Sequence, residues 1–274
     1  MTTSDLRMIM PFDRVAAGHW TTTAGLEWSN PGGELWGGYA IGACVRVLEN
    51  EPEARGEALS LNLTYTAALA SGEVDVRTKR LRQGGSIGVW EVALYQKGAG
   101  QIAAHGVVTL ARRPKTTPFV FAKMPAAPDP NSLPPLEIPG VMDRYGAQAF
   151  ERRIVDGFPP APGKSARSLA WVRARSGRFD KALLAMVTDN SPPRVMYALG
   201  RNVDSTTLSL TAYLHATEQD LAEIGEDYIL IECDGQIGND GASDERSNYW
   251  SRGGRLLATS TQLAWYRDAS REIP

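Results

Sequence analysis

The chain has little cysteine, little histidine and almost no excess charge. Only two of its 274 residues are cysteines, Cys44 and Cys233, and they lie far apart. A secreted disulfide framework needs more, so both read as buried free thiols. The three histidines, His19, His105 and His215, are isolated, and neither an HExxH nor a CxxC spacing occurs. No zinc or iron centre and no cofactor are expected. No stretch approaches the ~20 apolar residues of a membrane helix. The first ten residues carry Asp5 and Arg7 and lack the apolar core of a secretory leader. A soluble cytoplasmic protein is the expectation. A net charge of −2 excludes a broad basic footprint for nucleic acid. With 43% hydrophobic and 22% charged residues the chain is neither disordered nor a coiled coil.

Proline, by contrast, is concentrated. Eleven of the 17 prolines fall between positions 114 and 163, which marks that stretch as a connector. The parts on either side follow the same order of elements. In the first, Glu34 to Leu48 is apolar nearly all round, the pattern of a buried helix. Leu59, Leu61, Leu63 and Tyr65 then alternate with Ser60, Asn62, Thr64 and Thr66, the period of a half-buried strand. Strands follow over 73–82, 89–95 and 102–112. In the second part, 179–187 is helical in pattern. Thr188-Asp189-Asn190-Ser191-Pro192-Pro193 interrupts it, and Arg194 to Gly200 continues as a short helix. Strands are expected over 206–215, 228–234, 246–251 and 256–267. One degenerate repeat explains this order, with Tyr65 matched to Tyr213 and Thr109 to Gln262. The expected organisation is an α+β chain: an N-terminal domain over 1–113, a linker over 114–163 and a C-terminal domain over 164–274.

One pattern misleads. Gly84-Gly85-Ser86-Ile87-Gly88 has the G-x-S-x-G form, and Asp189 and His215 follow in hydrolase order. That elbow requires a strand, a sharp turn and a helix. Here Val89 to Tyr95 alternates as a strand, so Ser86 reads as a hairpin tip. A serine hydrolase using Ser86 is the weakest functional reading.

Three ordered segments carry a resemblance. Thr188 to Pro193, then Thr207-Leu208-Ser209-Leu210-Thr211-Ala212-Tyr213-Leu214-His215, then Ser260-Thr261-Gln262-Leu263-Ala264 resemble the acyl-CoA thioesterase II family. The resemblance implies a double hotdog, two repeats each with an antiparallel sheet wrapped round a central helix. It implies hydrolysis of acyl-CoA, and with it fatty acid metabolism. In that family an Asp, a Thr and a Gln of the second repeat hold the hydrolytic water. The Asp, placed at the start of the second central helix, carries over to Asp189. The Thr, eight residues before His215, carries over to Thr207, with Ser209 as the alternative. The Gln on the last strand carries over to Gln262.

The chemistry suits that trio. A carboxylate takes the water's proton while hydroxyl and amide groups fix its orientation. Gly37 and Gly38 are candidate oxyanion donors at a helix N-terminus, and Tyr39 lies beside them as a substrate-binding candidate. Arg80, Arg82, Lys97, Arg112 and Arg113 are candidates for the coenzyme A phosphates. No acid of the first part matches Asp189, so one site per chain is expected. Sheet edges need cover, which suggests a homodimer or larger oligomer. A non-catalytic acyl-CoA or acyl-chain binding protein on the same fold is the competing reading.

Overall fold

Alternation sets the strands, as the N-terminal half illustrates. In β3 (Glu57–Tyr65) Leu61 and Leu63 are buried while Asn62 and Thr64 face out. The computed structural model describes residues 10–30, 33–138, 149–157 and 165–267. The N-terminal half contains β1 (Asp13–Ala16), β2 (His19–Ala24), α1 (Gly37–Asn50), β3, β4 (Gly72–Gln83), β5 (Ile87–Gln96) and β6 (Ile102–Ala111). The C-terminal half contains β7 (Phe150–Asp156), β8 (Ser168–Ala174), α2 (Lys181–Val187) and α3 (Arg194–Leu199). It continues with β9 (Asp204–Leu214), α4 (Glu218–Ile224), β10 (Ile229–Asp234), β11 (Gly238–Asn239), β12 (Ala242–Ser251) and β13 (Leu256–Arg267).

All thirteen strands join one sheet. Its order is β1-β2-β4-β5-β6-β3-β9-β13-β12-β10-β8-β7, with β11 paired to β12. The order reads alike from both ends toward the β3–β9 seam, where Leu63 lies opposite Leu210. Each half wraps its strands round its own helix, which is the double hotdog expected. The two helices meet on the inner face. A Cβ on Gly42 of α1 would stand 2.9 Å from Met186 Cε and 3.2 Å from Met186 Cβ of α2. A glycine is therefore what lets α1 approach so closely. Buried charges cross the same junction. Arg46 of α1 pairs at 2.7 Å with Asp180, the residue that caps α2. Lys181 pairs at 3.1 Å with Glu57 of β3.

The repeat is real, but its register differs from the sequence match by one residue. The amides of Thr66 and Ala67 both bond to Ala103 O, and those of His215 and Ala216 both bond to Leu257 O. Tyr65 therefore corresponds to Leu214, not Tyr213. Tyr65 faces inward and bonds to Gly37 O, whereas Tyr213 is exposed. A slip of one residue turns a side chain to the other face of a strand. The same slip moves the partner of Gln262 from Thr109 to the buried Val108.

The stretch 114–163 is more than a tether. Phe150–Asp156 within it is strand β7, the edge next to β8. Upstream, Met124, Ala127 and Leu133 cover an outer cluster of Leu169, Trp171, Tyr228, Leu230 and Trp250. Trp171 Nε1 donates to Pro128 O at 2.9 Å. The connector's residues 139–148 and 158–163 lie outside the described residues. α4 was not anticipated from the sequence, although Thr217 and Asp220 form a reciprocal capping box at its start.

Candidate active site

The break after α2 builds the site. Thr188 ends α2 in helical geometry, and its Oγ1 donates back to Ala185 O at 2.6 Å. Pro192 and Pro193 cannot continue the helix, because proline lacks an N–H. Asp189 thus sits at the C-terminal end of α2, not at a helix start as the family comparison suggested. It caps neither helix: Asp180 caps α2, and Pro193 precedes α3 without a side-chain cap.

The turn aims Asp189 at the other half of the molecule. Trp36 Nε1 donates to the Asp189 main-chain oxygen at 2.9 Å. A Cβ on Gly37 would lie 2.7 Å from Asp189 Oδ2 and 3.0 Å from Tyr65 Oη. The first turn of α1 therefore meets the carboxylate, where the positive end of a helix favours negative charge. The Gly38 N–H faces that carboxylate and favours its charged form.

Gln262 and Thr207 arrive from the sheet. The 9%-exposed Gln262 stands opposite Leu210 in β9 and Glu245 in β12. Thr207 Oγ1 donates to its Oε1 at 3.1 Å. Its Nε2 donates to Thr188 O at 3.2 Å and to Glu245 Oε1 at 3.3 Å. An ionised carboxylate only accepts. Glu245 therefore fixes the amide so that its oxygen turns to Thr207. Between Thr207 and Ser209 the register shifts. Ser209 pairs with the exposed Thr64 and the exposed Leu263 on the outer face. The bulge turns Thr207 inward, onto Gln262, and leaves Ser209 on the outer face.

Burial pushes the Asp189 carboxyl up to about 7, and the nearby Glu245 carboxylate adds to it. Donors on Gly38, Gln262 and Trp36 work against that rise. Burial also raises Glu245, opposed by Arg194, whose Nε lies 3.3 Å from Glu245 Oε2. Arg194 is itself held by Ala166 O and Ser168 Oγ, both at 2.9 Å.

The other expected residues lie elsewhere. Tyr39 points into the N-terminal core. Its ring packs at 5.6 Å against Trp28, and burial raises its hydroxyl to about 12. Ser86 is exposed on the β4–β5 hairpin, and His215 Nε2 lies 3.2 Å from Thr259 Oγ1. Among the described residues no Ser–His–Asp set forms. Among the basic residues, Arg80 pairs with Glu53 at 2.8 Å, and Lys97 pairs with Glu73. Arg113 lies 3.6 Å from Glu57 and donates to the Leu214, His215 and Ala216 carbonyls.

Glu245, Arg194 and Tyr65 were not singled out as site residues. A corrected repeat would have found Glu245. Leu61, Val108 and Trp90 lie in line across β3, β6 and β5. Their counterparts across β9, β13 and β12 are Leu210, Gln262 and Glu245. Past the matching bulges, Ala58 stands where Thr207 stands. The polar set belongs to the C-terminal half, and the N-terminal half is apolar at the same places.

Among the described residues no cluster of His, Cys, Asp or Glu could hold a metal ion. Within the same residues no helix is long and apolar enough to cross a membrane.

Solved structures share this fold over nearly the whole chain. A conserved hot dog fold protein from Alicyclobacillus acidocaldarius is 22% identical, with a TM-score of 0.88, covering 94% of this chain and 96% of its own. The acyl-CoA thioesterase II TesB2 from Mycobacterium marinum is 19% identical, with a TM-score of 0.74, covering 97% and 98%. The tesB protein of Mycobacterium avium subs paratuberculosis is 17% identical, with a TM-score of 0.74, covering 94% and 96%. No curated protein sequence matches the chain. Residues 25–111 match the acyl-CoA thioesterase N-terminal domain, and residues 122–266 match the acyl-CoA thioesterase C-terminal domain. With both domains matched in order over most of its length, the chain belongs to the acyl-CoA thioesterase family and is a thioester hydrolase.

Proposed function

We propose that this hydrolase cleaves acyl-CoA to free acid and coenzyme A with a water held by Asp189, Thr207 and Gln262. The observation that carries the reading is their convergence. A carboxyl raised to about 7 sits where the Thr207–Gln262 pair meets the first turn of α1.

Ionised Asp189 takes a proton as the water oxygen attacks the thioester carbon. Thr207 spends its proton on Gln262, which leaves its oxygen lone pairs to accept a hydrogen from the water. The oxyanion develops near the start of α1, where the Gly37 and Gly38 N–H groups are its donors. The C–S bond then breaks, and the proton held by Asp189 passes to the departing thiolate. No covalent intermediate is needed, in keeping with the solitary Ser86.

A base near 7 is matched to neutral pH. Release of free coenzyme A from a chain-length series, wild type beside Asp189→Asn, tests the reading. Loss of about 10³-fold in kcat is expected. Near-wild-type turnover by Asp189→Asn would overturn the assignment.

A further inference from the structure

Strand β7 brings a cation to the edge of this site. Its residues alternate, and Phe150 and Arg152 share the inner face. Phe150 is fully buried and meets Trp36 edge-on at 6.0 Å, the same Trp36 that bonds to Asp189. Two residues on, Arg152 Nε donates at 2.8 Å to Oδ1 of Asn190, the neighbour of Asp189. Asn190 is only 6% exposed, and its Nδ2 has no hydrogen-bond partner. Among the described residues no carboxylate pairs with Arg152, while the exposed Arg175 adds a second positive charge beside it.

These groups are all donors. A shielded guanidinium next to another cation, with an unfilled amide N–H, is unfavourable until an acceptor arrives. The planar fork of arginine matches a two-oxygen anion. We propose that Arg152, Asn190 Nδ2 and Arg175 form a subsite for an oxyanionic group of the substrate. That group is a carboxylate on the acyl chain or a phosphate of coenzyme A. The proposal rests on Asp189 marking the reaction centre.

The test uses matched substrates: pentanoyl-CoA, glutaryl-CoA and pentanoyl-pantetheine, with wild type, Arg152→Met and Arg175→Glu. In the wild type a KM advantage for glutaryl-CoA over pentanoyl-CoA assigns the subsite to an acyl carboxylate. An advantage for pentanoyl-CoA over pentanoyl-pantetheine assigns it to phosphate. Arg152→Met should raise KM for the favoured anionic member about tenfold and leave its neutral counterpart within twofold. Arg175→Glu, an exposed change that spares folding, should act in the same direction and decides the matter if Arg152→Met fails to fold. Equal effects on both members of a pair, or none, would overturn the subsite. Calorimetric binding of the same three thioesters to Asp189→Asn, with and without Arg152→Met, reads the subsite without turnover. Retained anion-dependent binding with no wild-type hydrolysis of these thioesters would sink the proposed acyl-CoA cleavage and spare the subsite.

Discussion

Asp189 is a carboxyl held against its solution preference. Its value near 7 in the folded chain lies well above the ordinary 3.8. Protons therefore bind the folded state more tightly than the unfolded one. The stability this contributes is present below about pH 4 and lost as pH rises through 7, a cost on the order of a few kcal/mol. Asp189→Asn should accordingly unfold at a higher temperature than wild type at pH 8, and the gap should close at pH 4. Catalysis has the opposite slope, since the base works only when ionised. Below pH 7 the wild-type kcat/KM should fall tenfold per pH unit. Glu245 contributes to the raised value, so Glu245→Gln should move that limb to lower pH. It should also reduce kcat, because a neutral amide no longer dictates how Gln262 is turned. Thr207→Val should lower kcat by about 10²-fold, at the lower end of what positioned proton-transfer groups contribute, whereas Ser209→Ala should leave it within twofold.

Among the elements, the helix–helix contact and the outer strap are where single changes reach furthest. Gly42→Val puts branched carbon against Met186, and overpacking of this kind costs about 1–3 kcal/mol. Thermal unfolding should show the loss directly. Trp171→Ala should cost about 3–5 kcal/mol, because Trp171 anchors the outer cluster beneath Met124, Ala127 and Leu133. The proline-rich stretch explains itself at this scale. Proline cannot serve a central strand, yet it suits a strap whose polar contacts are few and directed, such as Pro128 O on Trp171 Nε1.

At the scale of the molecule, the seam between β3 and β9 makes one sheet out of two halves. Separation would leave both strands as unpaired edges, which invite association. A fragment of residues 10–113 should therefore self-associate in sedimentation rather than remain monomeric. It should also be inactive, because Asp189, Thr207 and Gln262 lie on the other half and only the start of α1 lies on this one.

Periodicity and composition determined a good deal unaided: the buried helix that became α1, most of the strands and the repeated order of elements. Those follow from local rules, since alternation and capping are written within a few residues. Asp189, Thr207 and Gln262 were visible only through likeness to a family. Their meeting depends on strand register and on a bulge, neither of which a local pattern specifies. The one-residue slip between Tyr65 and Tyr213 shows why. Both are tyrosines at a strand end, but only pairing to β6 and β13 tells which way each faces. Glu245 lay just outside the strand expected over 246–251, and only β12 placed it against Gln262. The tertiary structure alone decided that its charge is buried, that Arg194 balances it and that Tyr39 serves the core. Burial and pairing are properties of the packed sheet, created when segments far apart in the chain exclude water together.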